Sequence, residues 1–306
     1  MRYLDPKNDL VFKKVFGGHA NILLSFLNAM LPLEDGQIVQ SIEYLSPELV
    51  PDIPLFKNSI VDVRCKDNHG RQFIVEMQML WTDSFKSRVL FNASKAYIRQ
   101  LDRGIEYQGL KPVYALSLIN EIFDKDSPLY YHHYKLVHTK DQTKTIEGLE
   151  LIFIEIPKFK LKNTTDLKLF VLWMRYMSEI ENGQEMIDQQ LLEELNSVPE
   201  IAQALELTKE SAYTKAELEA YDKYWDSIRS EKTLIVDAEA KGIQQGRQEG
   251  RQEGEQIGIQ KGEHKKQTEI VLNCFDNNIS IPLIANITQL TEDEVINILK
   301  ENGKIA

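Results

Sequence analysis

The segment that most constrains this chain is residues 59–80, which has the pattern of a β-hairpin. Two apolar runs, residues 60–65 and 73–80, flank a polar loop at residues 67–71 that contains Gly70. Apolar runs of strand length on both sides of a short, glycine-containing loop are typical of two antiparallel strands. The sequence therefore predicts a hairpin with a five-residue connection.

Pairing about His69 fixes the register of this hairpin and places Asp62 opposite Glu76. Carboxylates directly opposite each other have Cβ atoms about 5 Å apart and repel, and a bound Mg²⁺ or Ca²⁺ would relieve that repulsion. The alternative is an acidic strand face that is simply solvated. Because side chains alternate between faces, one face is predicted to carry Val61, Val63, Cys65, Val75, Met77 and Met79, and the other Asp62, Arg64, Glu76 and Gln78.

The spacing of these acids resembles a known nuclease signature. Asp62, followed fourteen residues later by Glu76-Met77-Gln78, is similar to D…(D/E)xK, with Gln78 in the place of the usual Lys. Residues 8–17, NDLVFKKVFG, resemble the ND-x-x-FK-x-x-FG opening of one branch of the PD-(D/E)XK nucleases. That branch is the transposase-like or recombination-promoting nuclease (Rpn) family. Further landmarks of this branch follow in order at residues 46–48, 88–97, 104–107 and 112–114.

This resemblance implies an α/β fold of restriction-endonuclease type, with a mixed central β-sheet flanked by helices and an all-α C-terminal region. It implies a metal-dependent endonuclease that hydrolyses DNA phosphodiester bonds with low sequence specificity, linked to recombination, mobile elements or defence against foreign DNA. Mg²⁺, with Mn²⁺ as a substitute, would be held by the carboxylates of Asp62 and Glu76 and the backbone carbonyl of Met77. Gln78 would position the attacking water.

Two further residues are candidates for catalysis. Gln78 cannot carry the positive charge of the usual Lys, so Lys95, on the helix after the hairpin, is a candidate replacement; the alternative is a solvated helix lysine. Asp9 matches a carboxylate of the first helix that joins the metal site in part of the superfamily. An acid at that position also favours its own helix dipole, which is the alternative.

Three cations are candidates for contacts with DNA, namely Lys13, Arg64 and Arg88. Lys13 could contact phosphate or lie on the helix surface without a ligand. Arg64, on the predicted acidic face, could contact the DNA backbone or act as an internal counter-ion for Asp62 and Glu76.

The overall charge does not by itself favour a nucleic-acid partner. The chain has a formal net charge of −11, but residues 1–165 carry 21 Lys and Arg against 20 Asp and Glu, and residues 166–306 carry 15 against 27. Local charge rather than the total decides phosphate binding. The near-neutral first part counts mildly against tight duplex binding without a metal.

Cysteine content and hydropathy predict a location. Cys65 and Cys274 lie far apart in the sequence and give no disulfide framework, which suits a reducing compartment. The N-terminus lacks the build of a signal peptide, and no apolar run approaches the length of a membrane span. We therefore expect a soluble, cytoplasmic protein.

Periodicity and caps predict the elements around the hairpin. A first helix is expected to open at Pro6 with Asp5 as its N-cap. Helices are predicted at residues 21–31, 85–104, 166–180, 186–195 and 209–241, and strands at 39–45, 111–120 and 149–156. The order of these predicted elements is helix, strand, hairpin, helix and strand, which matches the α-β-β-β-α-β order of the PD-(D/E)XK core.

The sequence of the second half of the chain indicates a part that binds other protein chains rather than a catalytic part. Six glycines recur every fourth residue from Gly242 to Gly262, a spacing that lets two helices approach closely or marks a flexible linker. The predicted parts are a nuclease-like domain at 1–165, a helical region at 166–240, a Gly-repeat linker or helix at 241–264 and a helix-turn-helix-like interaction tail at 265–306. A homo-oligomer formed through the C-terminal helical region is expected.

Other chemistries find less support in the sequence. The histidines and cysteines lack zinc-ligand spacing, and neither a Walker loop nor a Gly-x-Ser-x-Gly motif is present. The competing interpretation is a catalytically degenerate nuclease fold that binds DNA, expected to be double-stranded, or another protein. An RNA nuclease with the same site is a third possibility.

Overall fold

The structure, a computed structural model, describes residues 2–34, 36–49, 59–101, 106–160, 168–181 and 187–305. The chain divides into two compact units, Met1–Lys232 and Thr233–Ala306. The division falls at a different place from the predicted boundaries at 165, 240 and 264, which remain predictions.

The described part of the first unit is built on a six-stranded mixed sheet with the strand order β1-β4-β5-β6-β8-β7. The pairs β5–β6 and β6–β8 are parallel and the other neighbours are antiparallel. A separate two-stranded ribbon joins β2 to β3. The strands are β1 (Ile42–Tyr44), β2 (Glu48–Leu49), β3 (Ser59–Ile60), β4 (Val63–Asp67), β5 (Gln72–Gln78), β6 (Val113–Ile119), β7 (Tyr131–His138) and β8 (Asp141–Glu155).

Nine α-helices are present in the described residues. They are α1 (Asp9–Phe16), α2 (Ala20–Met30), α3 (Phe85–Ile98), α4 (Leu169–Glu179), α5 (Gln189–Asn196), α6 (Pro199–Thr208), α7 (Lys215–Asp276), α8 (Ile281–Thr288) and α9 (Glu292–Glu301). No single helix in the described part of the chain is long and apolar enough to cross a membrane. The helices α1 and α2 reach that composition only together, across a bend of 102°.

The predicted hairpin is formed by β4 and β5, and its register is the predicted one, with Val63 opposite Val75 and Arg64 opposite Ile74. The turn is closed by Asp67, whose Oδ1 accepts hydrogen bonds from the backbone N–H groups of His69 and Arg71. Gly70 adopts a φ of 81°, which glycine does more readily than any other residue. Local turn chemistry therefore fixes the pairing that the alternation predicts.

One predicted face is wrong at a single position. Val63 belongs to the large apolar core as predicted, whereas Val61 packs into the smaller core with Ile74 and Val89. The chain bends at Asp62, between β3 and β4, so strict alternation is interrupted there. The bend turns Val61 to the opposite face of the sheet.

The two faces of the sheet carry different cores. The larger core packs α1, α2, α4, α5 and α6 against one face, through residues such as Phe16, Phe26 and Trp173. The smaller core packs α3 against the other face through Phe85, Val89, Ala93 and Ala96. Because α3 connects β5 to its parallel neighbour β6, it covers the sheet beside the hairpin.

The first helix begins later than predicted. Its N-cap is Asn8, whose Oδ1 accepts a hydrogen bond of 3.0 Å from the Leu10 N–H. The predicted cap, Asp5, is instead buried with its Oδ1 3.0 Å from Lys7 Nζ, and burial raises the pKa of its carboxyl group. An Asn cap satisfies the free N–H groups of the first turn in the same way that Asp would.

The sequence favours a surface β-hairpin end at residues 130–134, and strand β7 begins there. It contains Tyr131, His132 and His133 and pairs antiparallel with β8, which extends β8 well beyond the predicted strand at 149–156. His132 Nε2 lies 2.8 Å from Glu155 Oε1. His133 Nε2 lies 2.7 Å from Glu150 Oε2. The histidines thus tie an edge strand to its neighbour.

In the second unit, the end of α7 packs with α8 and α9 around Val271, Ile284, Val295 and Leu299. The last helix begins with a capping box at Thr291. The helix α7 runs through all six glycines of the repeat. Each of them lowers the stability of a helix by about 1 kcal/mol relative to Ala.

We expect Phe16→Ala to destabilise the first unit by about 3–5 kcal/mol. Phe16 is fully buried, with its ring centroid 4.7 Å from those of Phe12 and Phe26 and 5.8 Å from that of Trp173. Urea unfolding followed by tryptophan fluorescence measures this, since all three tryptophans lie within residues 81–225. The matched control is Tyr107→Ala at an 81% exposed position, which should change stability by less than about 0.5 kcal/mol. Equal losses in the two variants would contradict the assignment of Phe16 to the core.

Candidate active site

A cleft of ≈ 690 Å³ opens where the hairpin meets α3. The hairpin side contributes the predicted acidic motif, and the helix side contributes polar and aromatic residues from its first three turns. The cleft is lined by Ile60, Asp62, Glu76, Met77, Gln78, Ser84, Ser87, Arg88, Phe91 and Asn92. The structure therefore brings the two predicted carboxylates into one cleft.

Asp62 is positioned by the bend that separates β3 from β4. Its Oδ2 accepts a hydrogen bond of 2.7 Å from the backbone N–H of Met77 on the neighbouring strand, and its Oδ1 lies 3.7 Å from Lys13 Nζ. Burial raises the pKa of the Asp62 carboxyl group, and the Met77 hydrogen bond and the Lys13 charge oppose that rise. One of its oxygens is thus fixed by the strand beside it, one residue from Glu76.

Glu76 is the more buried of the two acids, with 8% of its surface exposed. Asn92 donates a hydrogen bond of 3.2 Å from Nδ2 to Glu76 Oε1, while Glu76 Oε2 is buried without a hydrogen-bond partner among the described residues. Burial, followed by the charge of Asp62, raises the pKa of Glu76 to about 7. The Arg88 charge and the Asn92 hydrogen bond act in the opposite direction.

The backbone of Met77 faces Asp62. The carbonyl of Gln78 accepts from Asn120 N–H at 2.9 Å, so the backbone groups of Gln78 point toward β6. Along a strand these groups alternate in direction, and the N–H and carbonyl of Met77 therefore point toward β4 and Asp62. The predicted third metal ligand lies on the same side as the carboxylate of Asp62.

Gln78 is held at both ends of its side-chain amide. Its Nε2 donates to the Leu80 carbonyl at 2.6 Å, and its Oε1 accepts from an Nη of Arg88 at 2.6 Å. The guanidinium of Arg88 also lies 4.8 Å from the centroid of the Phe85 ring. Arg88, on the first turn of α3, therefore brings a positive charge directly to the motif.

Asp9 and Lys13 approach the site from α1. Lys13 Nζ lies 2.7 Å from Asp9 Oδ1, one helical turn away, and 3.7 Å from Asp62 Oδ1. Partial burial of Lys13 lowers its pKa, but the hydrogen bond to Asp9 and the charge of Asp62 outweigh burial and leave the pKa raised. Lys13 thus links the helix acid to the strand acid.

Two predicted residues lie away from the two carboxylates. Lys95 Nζ donates to the Leu49 carbonyl at 3.1 Å and lies 4.8 Å from the Phe91 ring centroid. Arg64 is buried and donates to Gln72 Oε1 at 2.8 Å. The cation that donates to Gln78 is Arg88, and the catalytic role predicted for Lys95 stays a prediction. The contacts of Arg64 are with Gln72 and with the Ser46 carbonyl rather than with the acids.

Comparison with known protein families identifies the family of the chain. The family model described as PD-(D/E)XK nuclease family transposase matches residues 6–238. The chain belongs to that family. No curated protein and no solved structure gives a match. The mixed six-stranded sheet flanked by helices fits a PD-(D/E)XK nuclease-like α/β fold, as the sequence predicted.

Membership of the PD-(D/E)XK nuclease family transposases supports a nuclease-like or transposase-related function and implies a DNA partner. PD-(D/E)XK nucleases generally use divalent metals. Within the described residues, no group of three His, Cys, Asp or Glu side chains is arranged to hold a metal ion. A metal at this site would rely on the carboxylates of Asp62 and Glu76 and the Met77 carbonyl. The partnerless, buried Oε2 of Glu76 fits such a role, because a buried carboxylate oxygen needs a cation or a donor.

Asn92 is a functional candidate that reasoning from the sequence missed. It is 2% exposed, and its Oδ1 is also buried without a partner among the described residues. A signal was present in the sequence, since Asn92 lies in the apolar stripe of α3, one turn after Val89 and one turn before Ala96. A polar residue within such a stripe must find a polar partner.

We expect Glu76→Gln to stabilise the metal-free protein at pH 8 but not at pH 4. A folded-state pKa of about 7 lies above the ordinary value of 4.5, so the protonated acid favours folding and this contribution is lost as pH rises through 7. The neutral amide of the variant does not undergo that loss, so at pH 8 its free energy of unfolding should exceed that of the parent by on the order of 1–3 kcal/mol. Urea unfolding in EDTA across pH 4–8 measures it. A difference between variant and parent that is independent of pH would contradict the raised pKa.

Proposed function

We propose that the chain is a divalent-metal-dependent DNA endonuclease, a hydrolase of phosphodiester bonds with low sequence specificity. The observation that carries the proposal is the shared cleft of Asp62, at the bend before β4, and Glu76, on β5, whose Oε2 is buried without a partner among the described residues. Two acids kept close together and away from water need a counter-charge. A divalent cation would supply it.

In this proposal Asp62, Glu76 and the carbonyl of Met77 hold Mg²⁺, with Mn²⁺ as a substitute. A bound divalent ion supplies positive charge at the scissile phosphate and lowers the pKa of a coordinated water. Two hydrogen bonds hold the carboxylates that would bind this ion: the Met77 N–H orients Asp62, and Asn92 orients Glu76. Glu76 offers both oxygens as acceptors only when deprotonated, which favours activity above neutral pH.

The charge that the family pattern assigns to Lys comes from Arg88 in this proposal. Its guanidinium lies in the cleft and contacts Gln78, where it would stabilise the charge that develops on the phosphate. Gln78 keeps its proposed role of positioning the attacking water, and Asp9 acts through Lys13. A catalytic role for Lys95 is the less favoured form of the proposal.

Contacts with DNA are proposed for Lys13, whose Nζ lies 3.7 Å from Asp62 Oδ1, and for Arg88, which lines the cleft. Arg64 was also a candidate, but it is buried, so a contact with the DNA backbone is least favoured there. We propose a double-stranded substrate, and the family resemblance alone is the basis for proposing a cellular role in recombination, mobile elements or defence. We also propose that the chain self-associates through its C-terminal helical region.

A second candidate function is a degenerate nuclease fold that binds DNA or protein without cleaving it. The observation that favours this alternative is Gln78 itself, which replaces Lys and has both ends of its amide engaged. Intact Asp62 and Glu76 speak against it, because a binding module has no need of two adjacent, mutually repelling acids.

Plasmid cleavage tests the proposal directly. Supercoiled DNA is incubated with the protein in Mg²⁺, Mn²⁺, Ca²⁺ or EDTA, and labelled RNA is added to parallel reactions. We expect nicking in Mg²⁺ and Mn²⁺ that is abolished in EDTA and reduced at least about 1,000-fold in Asp62→Asn and Glu76→Ala. Nicking that persists in both variants would mean a contaminant. DNA binding without cleavage in every metal would favour the second candidate, and cleavage of RNA alone would change the substrate.

Arg88 and Lys95, both on α3, form a matched pair for locating the catalytic cation. We expect Arg88→Ala to lower the cleavage rate by about 100-fold or more at saturating Mg²⁺, as removal of a transition-state donor does. Lys95→Ala should stay within about threefold of the parent, since Lys95 contacts a backbone carbonyl outside the cleft. A larger loss of cleavage rate in Lys95→Ala than in Arg88→Ala would instead assign the catalytic cation to Lys95.

A further inference from the structure

The middle of α7 exposes several large apolar side chains, of which Ile243 and Ile257 lie close to one line along the helix, whereas Ile259, 56% exposed, lies about 180° around the helix from Gly250. Every residue from 233 to 266 is exposed, including Ile243 at 67% and Ile257 at 51%. On a helix of 3.6 residues per turn, these two isoleucines lie about 20° to either side of Gly250. Ile243 and Ile257 therefore place one exposed apolar side chain on the Gly250 side of the helix about 10 Å before Gly250 and one about 10 Å after it.

The stripe through Gly250 has one basic edge and one acidic edge. At about 100° per residue, Arg247 and Arg251 lie about 60° and 100° to one side of Gly250. Glu253 and Glu249 lie about 60° and 100° to the other side by the same geometry. We call this surface, with its two edges, the Gly250 face.

The charges of the Gly250 face are unfavourable for the helix that carries them. Arg247 and Arg251 are four residues apart, and so are Glu249 and Glu253. At that spacing like charges are neighbours on the helix surface and destabilise it. A second helix with opposite charges along each edge would turn both repulsions into attractions.

We propose that the Gly250 face binds the same face of a second copy of the chain, with the two helices parallel and crossing at Gly250. A two-fold axis along the helices turns the basic edge of one copy toward the acidic edge of the other. Arg247 then approaches Glu249 of the second copy, and Arg251 approaches Glu253, each offset by about 3 Å along the axis. An antiparallel two-fold pair would instead bring basic edge to basic edge.

The glycines are consistent with this crossing without being its basis. Gly246 and Gly254 lie about 40° to either side of Gly250 on the helix, so the centre of the face has no side chains to hold two helices apart. Within the described structure, a Cβ added at any of the three would meet no atom within 4 Å. A larger residue at Gly250 should therefore leave the single chain intact while blocking the crossing.

This proposal deepens the proposed self-association by naming its face and orientation, and it is independent of nuclease activity. Sedimentation velocity of the full chain over a range of concentrations measures it. We expect a dimer whose dissociation constant rises at least tenfold in Gly250→Leu. Gly262→Leu, the same substitution about 120° around the helix, should associate like the parent, and circular dichroism should show equal helix content.

Two results of that experiment would overturn the proposal. A monomer at every concentration would remove both this face and the proposed self-association. A dimer that Gly250→Leu leaves unchanged would keep self-association and remove this face.

Cross-linking tests the orientation. Ile243→Cys is introduced together with Cys274→Ser, because the remaining Cys65 is fully buried, and the protein is treated with a short bis-maleimide. Parallel helices place residue 243 beside residue 243 of the second copy, so we expect a covalent dimer that Gly250→Leu suppresses. An antiparallel pair separates those residues by about 20 Å along the axis. Dimers that form without this cross-link would therefore overturn the parallel arrangement.

Discussion

The candidate site depends on one hydrogen bond, from the backbone N–H of Met77 to the carboxylate of Asp62. Asp62 stands at a bend, where it has left the ladder that begins at Val63. Without a partner its side chain would be free to turn to solvent. The bond to the adjacent strand fixes it one residue from Glu76, so the bend and the bond together convert a sequence spacing of fourteen residues into spatial proximity.

That proximity is unfavourable unless something compensates it, and the surrounding residues compensate only in part. Burial and the neighbouring carboxylate raise the pKa of Glu76 to about 7, so near neutrality its protonation is balanced. Lys13 reaches Asp62 from α1, and Arg88 approaches from α3. Neither cation contacts Glu76 Oε2, which stays without a partner among the described residues. A site tuned in this way gains most from an added cation when pH rises and both acids are ionised.

The hairpin could be predicted because its information is local: alternation fixes the faces, and the Asp67–Gly70 turn fixes the register. The face to which Val61 points could not be predicted, because strict alternation of side chains assumes a continuous strand and gives no sign of the bend at Asp62. The contacts that the residues of α3 make in the site were harder still to predict. Which of Arg88, Asn92 and Lys95 reaches the acids depends on how the helix is rotated about its axis, and packing of Phe85, Val89 and Ala93 sets that rotation. The length of β7 and its pairing with β8 were not predicted, because an exposed edge strand shows little apolar periodicity.

Arg88 contacts Gln78, the residue that stands in the place of the usual Lys. A Lys at position 78 would place its ammonium beside the guanidinium that now donates to Gln78 Oε1, and these like charges would repel, with the exposure of Arg88 screening part of that repulsion. An amide has no charge and offers an oxygen to Arg88 and an N–H to the Leu80 carbonyl. Gln78 and Arg88 are therefore better understood as one unit, in which the positive charge has moved from the strand to the helix. In the proposed nuclease, the positive charge of the site is then carried by Arg88 on α3 in place of a Lys on β5.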